Sequence, residues 1–379
     1  MMGRRRTDSQ SLSKIDFISI RIILRDLKKK PIIELTRDLD SPFFQATYRI
    51  SDSSSERPFV YQISELDEAS FLRESYFIRS KFIDKKIAGR SAKEHIGELV
   101  RISWLSVNRS AEGEGSTKTT TTSIDKKLEE LSNRLVRYLS VLGKRANRLL
   151  ENFQEEVFFS LLIQPKKVQD IFKIPSLETI KKEKDSLNQI FNQFGLDKKL
   201  YTQKIDNHFS LLEKAVSKMG DKETHMSNME IASIFSLDRI EQTIEYWEKV
   251  VEERKTIFHP RDSFLQKINS MVKRKKFKIN EQNELIVETQ SGKNLPLPLL
   301  SSGEKQLLII LGEALLQEKK QYIYIADEPE LSLHVSWQEA LTKDIREINP
   351  LAQVIFATHS PDVVGTYSSK LINVEDCIK

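Results

Sequence analysis

Two apolar segments joined by a helical segment constrain the fold of this chain more than any other feature. Tyr322–Ala326 and Gln353–Ala357 are almost continuously apolar and have the length of strands, and the helical pattern Val335–Ile348 lies between them. Strands that are apolar on both faces belong to covered sheets, and a strand–helix–strand unit joins parallel strands. We therefore predict an α/β fold with a buried, mostly parallel sheet flanked by helices.

The first part of the chain, residues 1–112, is predicted to be rich in strands. Its β-branched and aromatic runs are separated by polar loops, as in an antiparallel β-meander. The four clearest runs are Ile18–Leu24, Ile32–Leu35, Phe43–Ile50 and Phe59–Ile63. A helix is expected around Ala69–Lys85 and a further strand within Leu99–Val107. The low-complexity polar segment 113–123 predicts a loop.

Residues 124–260 are predicted to form a helical insertion between two β-containing parts. From Ile124 onward, apolar residues recur at spacings of three and four, which is typical of a long amphipathic helix with a coiled-coil-like seam. We expect Thr122 and Asp125 to cap this helix and Pro165 to stop it.

A second long helix is predicted from about Leu237, and Pro260 is expected to end it. The residues between the two helices, 166–235, are polar, rich in lysine and mostly helical in pattern. Two interpretations stay open for the insertion. Its helices pack on one another, or they form an arm that binds a partner.

The remaining residues, 261–379, are predicted to form a C-terminal lobe. Strand patterns return at Phe277–Ile279, Leu285–Glu288 and Leu295–Leu299, and a helix is expected from about Gly303 to Gln317. The lobe also contains the basic run Lys273–Lys278. This run is interpreted either as a solvated face or as a surface that contacts nucleic acid.

Composition excludes several classes of protein. The net charge of +5 is small for 379 residues and does not by itself argue for nucleic-acid binding. The single cysteine, Cys377, excludes a disulfide framework and a cysteine-based zinc site. No apolar run approaches the roughly 20 residues of a membrane helix. We therefore expect a cytoplasmic protein without a membrane partner.

Two adjacent carboxylates follow the strand at Tyr322–Ala326. In open α/β sheets, ligands bind at the carboxyl ends of the strands, where Asp327 could hold Mg²⁺ and Glu328 could activate a water against a γ-phosphate. The simpler interpretation is that these acids mark the exit of the strand into solvent.

Two further motifs favour the chemical interpretation. His359 follows the neighbouring apolar strand, so its imidazole should lie near the two acids and could contact a terminal phosphate. The segment 300–306, LSSGEKQ, opens a helix with two serines and a glycine, a pattern that suits an anion site. A lone histidine or a serine cap would each be unremarkable by itself, but the three motifs occur together and in order.

Residues 300–361 resemble the C-terminal half of an ABC/SMC-type ATPase head. The resemblance is strongest to the AAA-family ATP-binding proteins related to the overcoming-lysogenisation-defect and phage-defence ATPases. The segment 300–305 is similar to the family's LSGGEK signature, with a serine in place of the first glycine. The segment 322–328 resembles Walker B. Residues 332–334 resemble the D-loop, and His359 matches the switch histidine.

The resemblance implies a P-loop NTPase head that binds ATP and Mg²⁺ and dimerises around nucleotide with a second copy or a related partner. It implies that Asp327 is the metal-associated acid and that Glu328 and His359 are catalytic. The nucleotide-contacting residues that it implies are Ser301, Ser302, Gly303, Glu304, Ser332 and His334. A role in defence or DNA maintenance would follow, with DNA or a defence effector as a further partner.

No phosphate loop of the form G-x-x-x-x-G-K-[S/T] occurs in the sequence. Gly113–Thr119 has a threonine where a glycine must precede the lysine, and Gly292 and Gly143 fit a hairpin turn and a helix instead. We expect this chain to lack the first segment of the family head and to bind and hydrolyse ATP weakly by itself. The alternative is a non-catalytic relative that acts as a scaffold or regulatory partner. A nuclease is excluded as an activity of this chain, because only 20 residues follow His359.

Overall fold

The computed structural model describes most of the chain in nine segments. They are residues 12, 14–25, 29–41, 44–53, 56–64, 92–106, 123–162, 176–219 and 225–377. The predicted helix at Ala69–Lys85, most of the predicted loop 113–123, the proposed cap at Thr122 and the stop at Pro165 lie outside these residues. The chain divides into two compact units. The first unit contains residues 1–106, 320–327 and 351–357, and the second contains 107–319, 328–350 and 358–379.

The first unit contains the predicted antiparallel meander. Its four strands pair in sequence order as β1 (Ser19–Ile23), β2 (Ile32–Asp38), β3 (Gln45–Ser51) and β4 (Phe59–Ser64). Helix α1 (Ala92–Leu99) is tied to this region through the buried His95. The ring nitrogen Nε2 of His95 lies 2.6 Å from Asp52 Oδ1, and Nδ1 lies 2.9 Å from the hydroxyl of Tyr61.

The first unit also contains the predicted parallel sheet. Its strands are β5 (Ile102–Ser106), β9 (Tyr322–Asp327) and β10 (Ala352–Ala357), with β9 in the centre. Both neighbours run parallel to β9, which confirms the sheet predicted from the apolar segments. Tyr324 and Ala326 on the central strand are fully buried, whereas Ile355 on β10 is partly exposed. Tyr324 and Ala326 share one face of β9, and Ile323 and Ile325 on the opposite face are only partly buried, so the expected burial is complete on one face of β9 only.

Over the predicted insertion, the described residues of the second unit form four helices. They are α2 (Ser123–Ser160), α3 (Leu177–Gln193), α4 (Lys198–Met219) and α5 (Asn228–Met271). The buried stripe of α2 follows the predicted spacing through Leu128, Leu131, Leu135, Leu139 and Leu142. Two apolar clusters join α3, α4 and α5 and include α2. The helices thus pack on one another, as the first of the two interpretations proposes.

The predicted helix stop at Pro260 is wrong. Helix α5 continues through Pro260 to Met271, so the predicted boundary between the insertion and the C-terminal lobe lies inside a continuous helix. A proline in a helix interior removes one hydrogen bond and costs about 3 kcal/mol. Beyond it, Phe264 and Ile268 are almost completely buried, and their burial offsets that cost.

The buried Glu183 on α3 makes the stability of the helical region depend on pH. Its side chain is 6% exposed, and burial, together with the charge of Glu241, raises the pKa of Glu183 to about 7 from 4.5. The folded state therefore binds more protons than the unfolded chain between these two pH values. The free energy of unfolding is therefore highest, as far as Glu183 is concerned, below about pH 4.5. It falls as the pH rises towards 7, because the buried side chain must then ionise.

We expect Glu183→Gln to change the free energy of unfolding more favourably at pH 8 than at pH 4.5, by up to about 3 kcal/mol. The reason is that Gln cannot ionise, and one pKa unit corresponds to about 1.4 kcal/mol. Urea unfolding of both proteins at the two pH values, followed by the circular dichroism of the helices, measures this difference. A substitution effect that is the same at both pH values would refute the prediction.

A small antiparallel sheet follows α5, with strands β6 (Lys275–Ile279), β7 (Leu285–Thr289) and β8 (Asn294–Leu295). The predicted strand Leu295–Leu299 is wrong beyond its first residue, since Leu297–Leu299 forms a turn of 3₁₀-helix. Pro296 and Pro298 explain this difference, because proline has no N–H to donate to a sheet and has a fixed φ.

Helices α6 (Ser302–Leu316), α7 (Val335–Ile348) and the short α8 (Pro361–Val364) complete the second unit. Helix α6 packs closely on α2, since a Cβ on Gly312 would lie 2.8 Å from a methyl carbon of Leu131. The buried Lys305 on α6 also pairs with Asp125 on α2 at 2.7 Å. Within the described segments, every helix is too short or too polar to cross a bilayer.

Candidate active site

The N-terminus of α6 is capped by its own side chains. The hydroxyl of Ser301 accepts a hydrogen bond from the N–H of Glu304, and Glu304 Oε2 accepts one from the N–H of Ser301 at 2.8 Å. This capping box satisfies two amides that a helix start would otherwise leave unpaired. Ser302, the first residue of the helix, is exposed and is available to a ligand. The predicted contacts of these residues with nucleotide stay predictions.

Glu304 has a structural contact in addition to its cap. Both of its carboxylate oxygens lie within 2.7 Å of Lys275 Nζ on β6. Burial by itself would raise the pKa of Glu304, but the hydrogen bonds from Lys275 and from the N–H of Ser301 outweigh it, so this pKa lies below its ordinary value. Both carboxylate oxygens of Glu304 are therefore occupied by hydrogen bonds within the protein. Glu304 stabilises the start of α6, and this role suits its position better than contact with a ligand.

The same ion pair bears on the basic run Lys273–Lys278. Lys275 pairs with Glu304, and Lys278 pairs with Glu288 on the adjacent strand. Two of the cations of the run are thus neutralised within the protein. Lys273, Arg274 and Lys276 are exposed, so both interpretations of the run stay open.

Gly303 lies directly against the segment that resembles the D-loop. A Cβ at this position would come within 2.3 Å of the carbonyl oxygen of Ser332, a distance that no side chain tolerates without a backbone shift. The sequence therefore needs glycine here for a steric reason. This contact brings the residues of two predicted motifs, 301–304 and 332–334, into one place.

The turn that follows β9 contains two residues in the left-handed region. Glu328 has a φ of 47° and Ser332 has a φ of 70°, although neither is glycine. Such conformations are uncommon and cluster at functional sites, where the surrounding structure imposes them. Gln306 of α6 supports the turn by donating a buried hydrogen bond of 2.8 Å to the carbonyl of Pro329.

Glu328 and His359 face each other across a short gap. Their closest atoms, Oε1 and Nε2, are 3.6 Å apart, and the side chains are 40% and 91% exposed. A separation of this size is longer than a normal hydrogen bond. The structure thus brings the imidazole close to Glu328, one of the two predicted acids, and leaves both side chains partly or largely exposed.

Asp327 is the last residue of β9 and is exposed. It pairs in register with Ala357 on one side and Ser106 on the other, so it lies at the carboxyl end of the parallel sheet. In the described residues, no group of three His, Cys, Asp or Glu side chains could hold a metal by itself. A single exposed carboxylate such as Asp327 fits Mg²⁺, since Mg²⁺ is usually held by one or two carboxylates together with water and substrate phosphates.

His334, predicted to contact nucleotide, lies at the start of α7. Its Nδ1 accepts from the N–H of Ser336 at 3.3 Å and lies 2.9 Å from the hydroxyl of the same residue. The imidazole therefore acts as the N-cap of the helix. Any contact between its other nitrogen and a ligand stays a prediction.

Sequence reasoning missed several residues that hold the site together. They are Gln306, Glu330, Gln338, Thr358 and Ser360, and all make hydrogen bonds within the second unit. The positions of Glu330 and Thr358 beside Glu328 and His359 offered a signal. Gln306 and Gln338 offered none, because a glutamine on a helix has no pattern that distinguishes a buried partner from a solvated one.

A family model identifies the class of protein to which this chain belongs. The parallel sheet, the antiparallel sheets and the helices agree with the predicted α/β ATPase head. Residues 6–365 match the family described as "AAA domain, putative AbiEii toxin, Type IV TA system". The chain belongs to this family.

One curated relative is the Retron Vc95 probable ATPase from Vibrio cholerae serotype O1 biovar El Tor. It is 32% identical over an alignment of 96 positions, and the match covers 22% of this chain and 19% of the relative. The match thus spans less than a fifth of the length of that protein.

Solved structures of Smc head domains are similar at low identity. A head domain with an extended coiled coil, from Pyrococcus furiosus and bound to the C-terminal domain of ScpA, is 13% identical with a TM-score of 0.33, covering 88% of this chain and 71% of that one. A head with a coiled coil and joint from Pyrococcus yayanosii is 12% identical with a TM-score of 0.25, covering 88% and 78%.

Proposed function

We propose that this chain is an ATP-binding head of ABC type whose hydrolytic residues are Glu328 and His359. The observation that carries this proposal is the 3.6 Å approach of the two side chains, each of which follows one of two adjacent parallel strands. A carboxylate and an imidazole at this location can act on one terminal phosphate and its attacking water. Membership in the AAA family supports ATP as the nucleotide.

Each site residue then has a specific task. Glu328 accepts a proton from the attacking water or orients it, and His359 donates a hydrogen bond to the γ-phosphate. Asp327 would hold Mg²⁺, which neutralises charge that develops on the phosphates. Ser301, Ser302 and Gly303 would bind the nucleotide of an opposing subunit, with Ser332 and His334 at the same face. Glu304 would act through its cap on Ser301.

Dimerisation around nucleotide is part of this proposal. The partner is a second copy of the chain or a related head, and the helical region α2–α5 would move with α6, to which Asp125 and Lys305 join it. We place the protein in the cytoplasm and in defence or DNA maintenance. The family description, which names a toxin–antitoxin system, and the retron relative support defence.

We also propose that hydrolysis by these 379 residues is weak, since they contain no phosphate-loop motif. A phosphate loop supplies backbone amides and a lysine, and each charge-assisted hydrogen bond contributes roughly 1.5–3 kcal/mol. The second candidate function is a scaffold or regulatory partner that completes the site of another head. The serine-capped start of α6 favours this candidate, because in this family that motif acts on the nucleotide of the neighbour.

Steady-state ATPase assays separate the two functions. We expect the chain to show little turnover by itself and to raise turnover when mixed with a family head that carries a phosphate loop. In the mixture, Ser301→Ala should remove this stimulation if the chain acts in trans, and Glu328→Gln should leave it intact. Robust turnover by the chain alone that Glu328→Gln abolishes would overturn the proposal of weak hydrolysis.

A further inference from the structure

Glu330 is a buried carboxylate two residues beyond Glu328. It is 8% exposed. The hydroxyl of Thr358 and the backbone N–H of His359 both donate to its Oε1, the second at 3.1 Å. Its other oxygen, Oε2, is buried and has no hydrogen-bond partner within the described segments. Burial of a carboxyl oxygen without a hydrogen-bond partner carries a desolvation cost.

The imidazole of His359 has little to hold it in place. Its side chain is 91% exposed and faces Glu328 at 3.6 Å. A ring with so little packing takes its direction from its backbone and rotamer. The hydrogen bond from the N–H of His359 to Glu330 restrains that backbone directly.

The residues around His359 are held by the same part of the second unit. The N–H of Ser360 donates to Thr358 Oγ1 at 3.0 Å, and the hydroxyl of Ser360 donates to Gln338 Oε1 at 2.7 Å. Gln338 in turn donates to the carbonyl of Leu333 at 3.0 Å. The loop that carries His359 is thus attached at two points to the segment that follows Glu328.

We propose that Glu330 is a positioning residue that holds the backbone of His359 so that the imidazole faces Glu328. Its carboxylate lies in the same turn as Glu328 and accepts a hydrogen bond from the loop of His359. The distance between the side chains of Glu328 and His359 should therefore stay the same when nucleotide binds or leaves. Gln306 extends this connection to α6 through the carbonyl of Pro329. The consequence for hydrolysis rests on the proposed function, but the geometric role does not.

Amide hydrogen exchange on the full chain labelled with ¹⁵N-histidine tests the role without nucleotide. The chain has six histidines, and His359→Gln assigns the signal of His359. We expect Glu330→Ala to accelerate exchange at His359 by about tenfold or more, as loss of a hydrogen bond to a charged group predicts. The other five amides should keep their rates. The matched control is Glu339→Gln on the exposed face of α7, which should change none of them.

A second readout follows the ring itself. In an otherwise wild-type protein, Glu328→Gln should shift the imidazole Hε1 resonance of His359. In a protein that already carries Glu330→Ala, the same substitution should produce a smaller shift. Unchanged exchange at His359 in a folded Glu330→Ala protein would overturn the proposal. Equal acceleration at all six amides would also overturn it, because it would show a general loss of stability.

Two milder variants keep the test decisive if Glu330→Ala does not fold. Glu330→Gln keeps the size of the side chain and one acceptor oxygen, and Thr358→Val removes the hydroxyl that shares Oε1. Each should accelerate exchange at His359 selectively and by less than Glu330→Ala. Wild-type exchange in both folded variants would refute the role of Glu330. Absence of ATP binding would refute only the proposed function, since these measurements need no nucleotide.

Discussion

Replacing Glu328 with Gln should lower the rate of ATP hydrolysis by about 10²–10⁴-fold in a form of the chain extended at its N-terminus with a phosphate-loop segment. Gln keeps the shape of the side chain but cannot accept the proton of the attacking water. ATP binding should persist, because the residues that contact the phosphates are unchanged. Phosphate release measured at saturating ATP, together with binding of a fluorescent ATP analogue, gives both quantities.

The matched control for this substitution is Glu339→Gln, which removes the same charge from an exposed position on α7. It should hydrolyse ATP at the rate of the parent protein. An extended protein that hydrolyses ATP equally well with Gln at position 328 would contradict the role assigned to Glu328. Loss of binding along with hydrolysis would contradict it as well, since a base is not needed for binding.

Replacing Lys275 with Met should destabilise the protein by about 3 kcal/mol, because it leaves the buried carboxylate of Glu304 without its cation. The effect should depend on pH. The lowered pKa of Glu304 stabilises the wild type above the ordinary value of 4.5, and this contribution is lost as the pH falls through the folded pKa. Urea unfolding at pH 7 and at pH 3.5 measures the difference, which should be larger at pH 7.

Two variants test the cause of this effect. Lys276→Met changes the exposed neighbouring lysine on β6 and should cost less than about 0.5 kcal/mol. Lys275→Met combined with Glu304→Gln should recover most of the loss, since Gln retains an acceptor for the N–H of Ser301 and has no charge to bury. A double variant as unstable as Lys275→Met would show that the unpaired charge of Glu304 is not the cause of the loss.

Two strands of the parallel sheet and the helix between them could be predicted almost to the residue, whereas β5 (Ile102–Ser106) is expected only within Leu99–Val107. Val335–Ile348 has the bounds read from the sequence, and the two strands around it differ from prediction by one residue each. These segments are predictable because burial imposes a continuous apolar run on a strand and a period of 3.6 on a helix. At Pro260, by contrast, local propensity was overridden by the burial of Phe264 and Ile268 further along α5.

The candidate site also contains residues that the sequence predicts and residues that only the structure reveals. Motif order in the sequence predicts Glu328 and His359 as site residues, because acids and an imidazole at strand ends suit phosphate chemistry, and the structure brings these two side chains within 3.6 Å of each other. The partners that hold them, such as Glu330 with the N–H of His359, are 29 residues apart and follow no period. A hydrogen bond of this kind depends on the relative positions of two loops in the fold, and no local sequence pattern predicts it.

The sequence by itself determined the α/β class, the order of the motifs and the chemical identity of the acid pair and the imidazole, since these depend on residue type and short-range period. Only the tertiary structure decided that Gly303 must lack a side chain against Ser332, that Glu304 is committed to Lys275, and that Glu330 restrains His359. The physical reason is that each of these contacts joins segments distant in the chain, where distance and burial rather than residue type determine the interaction.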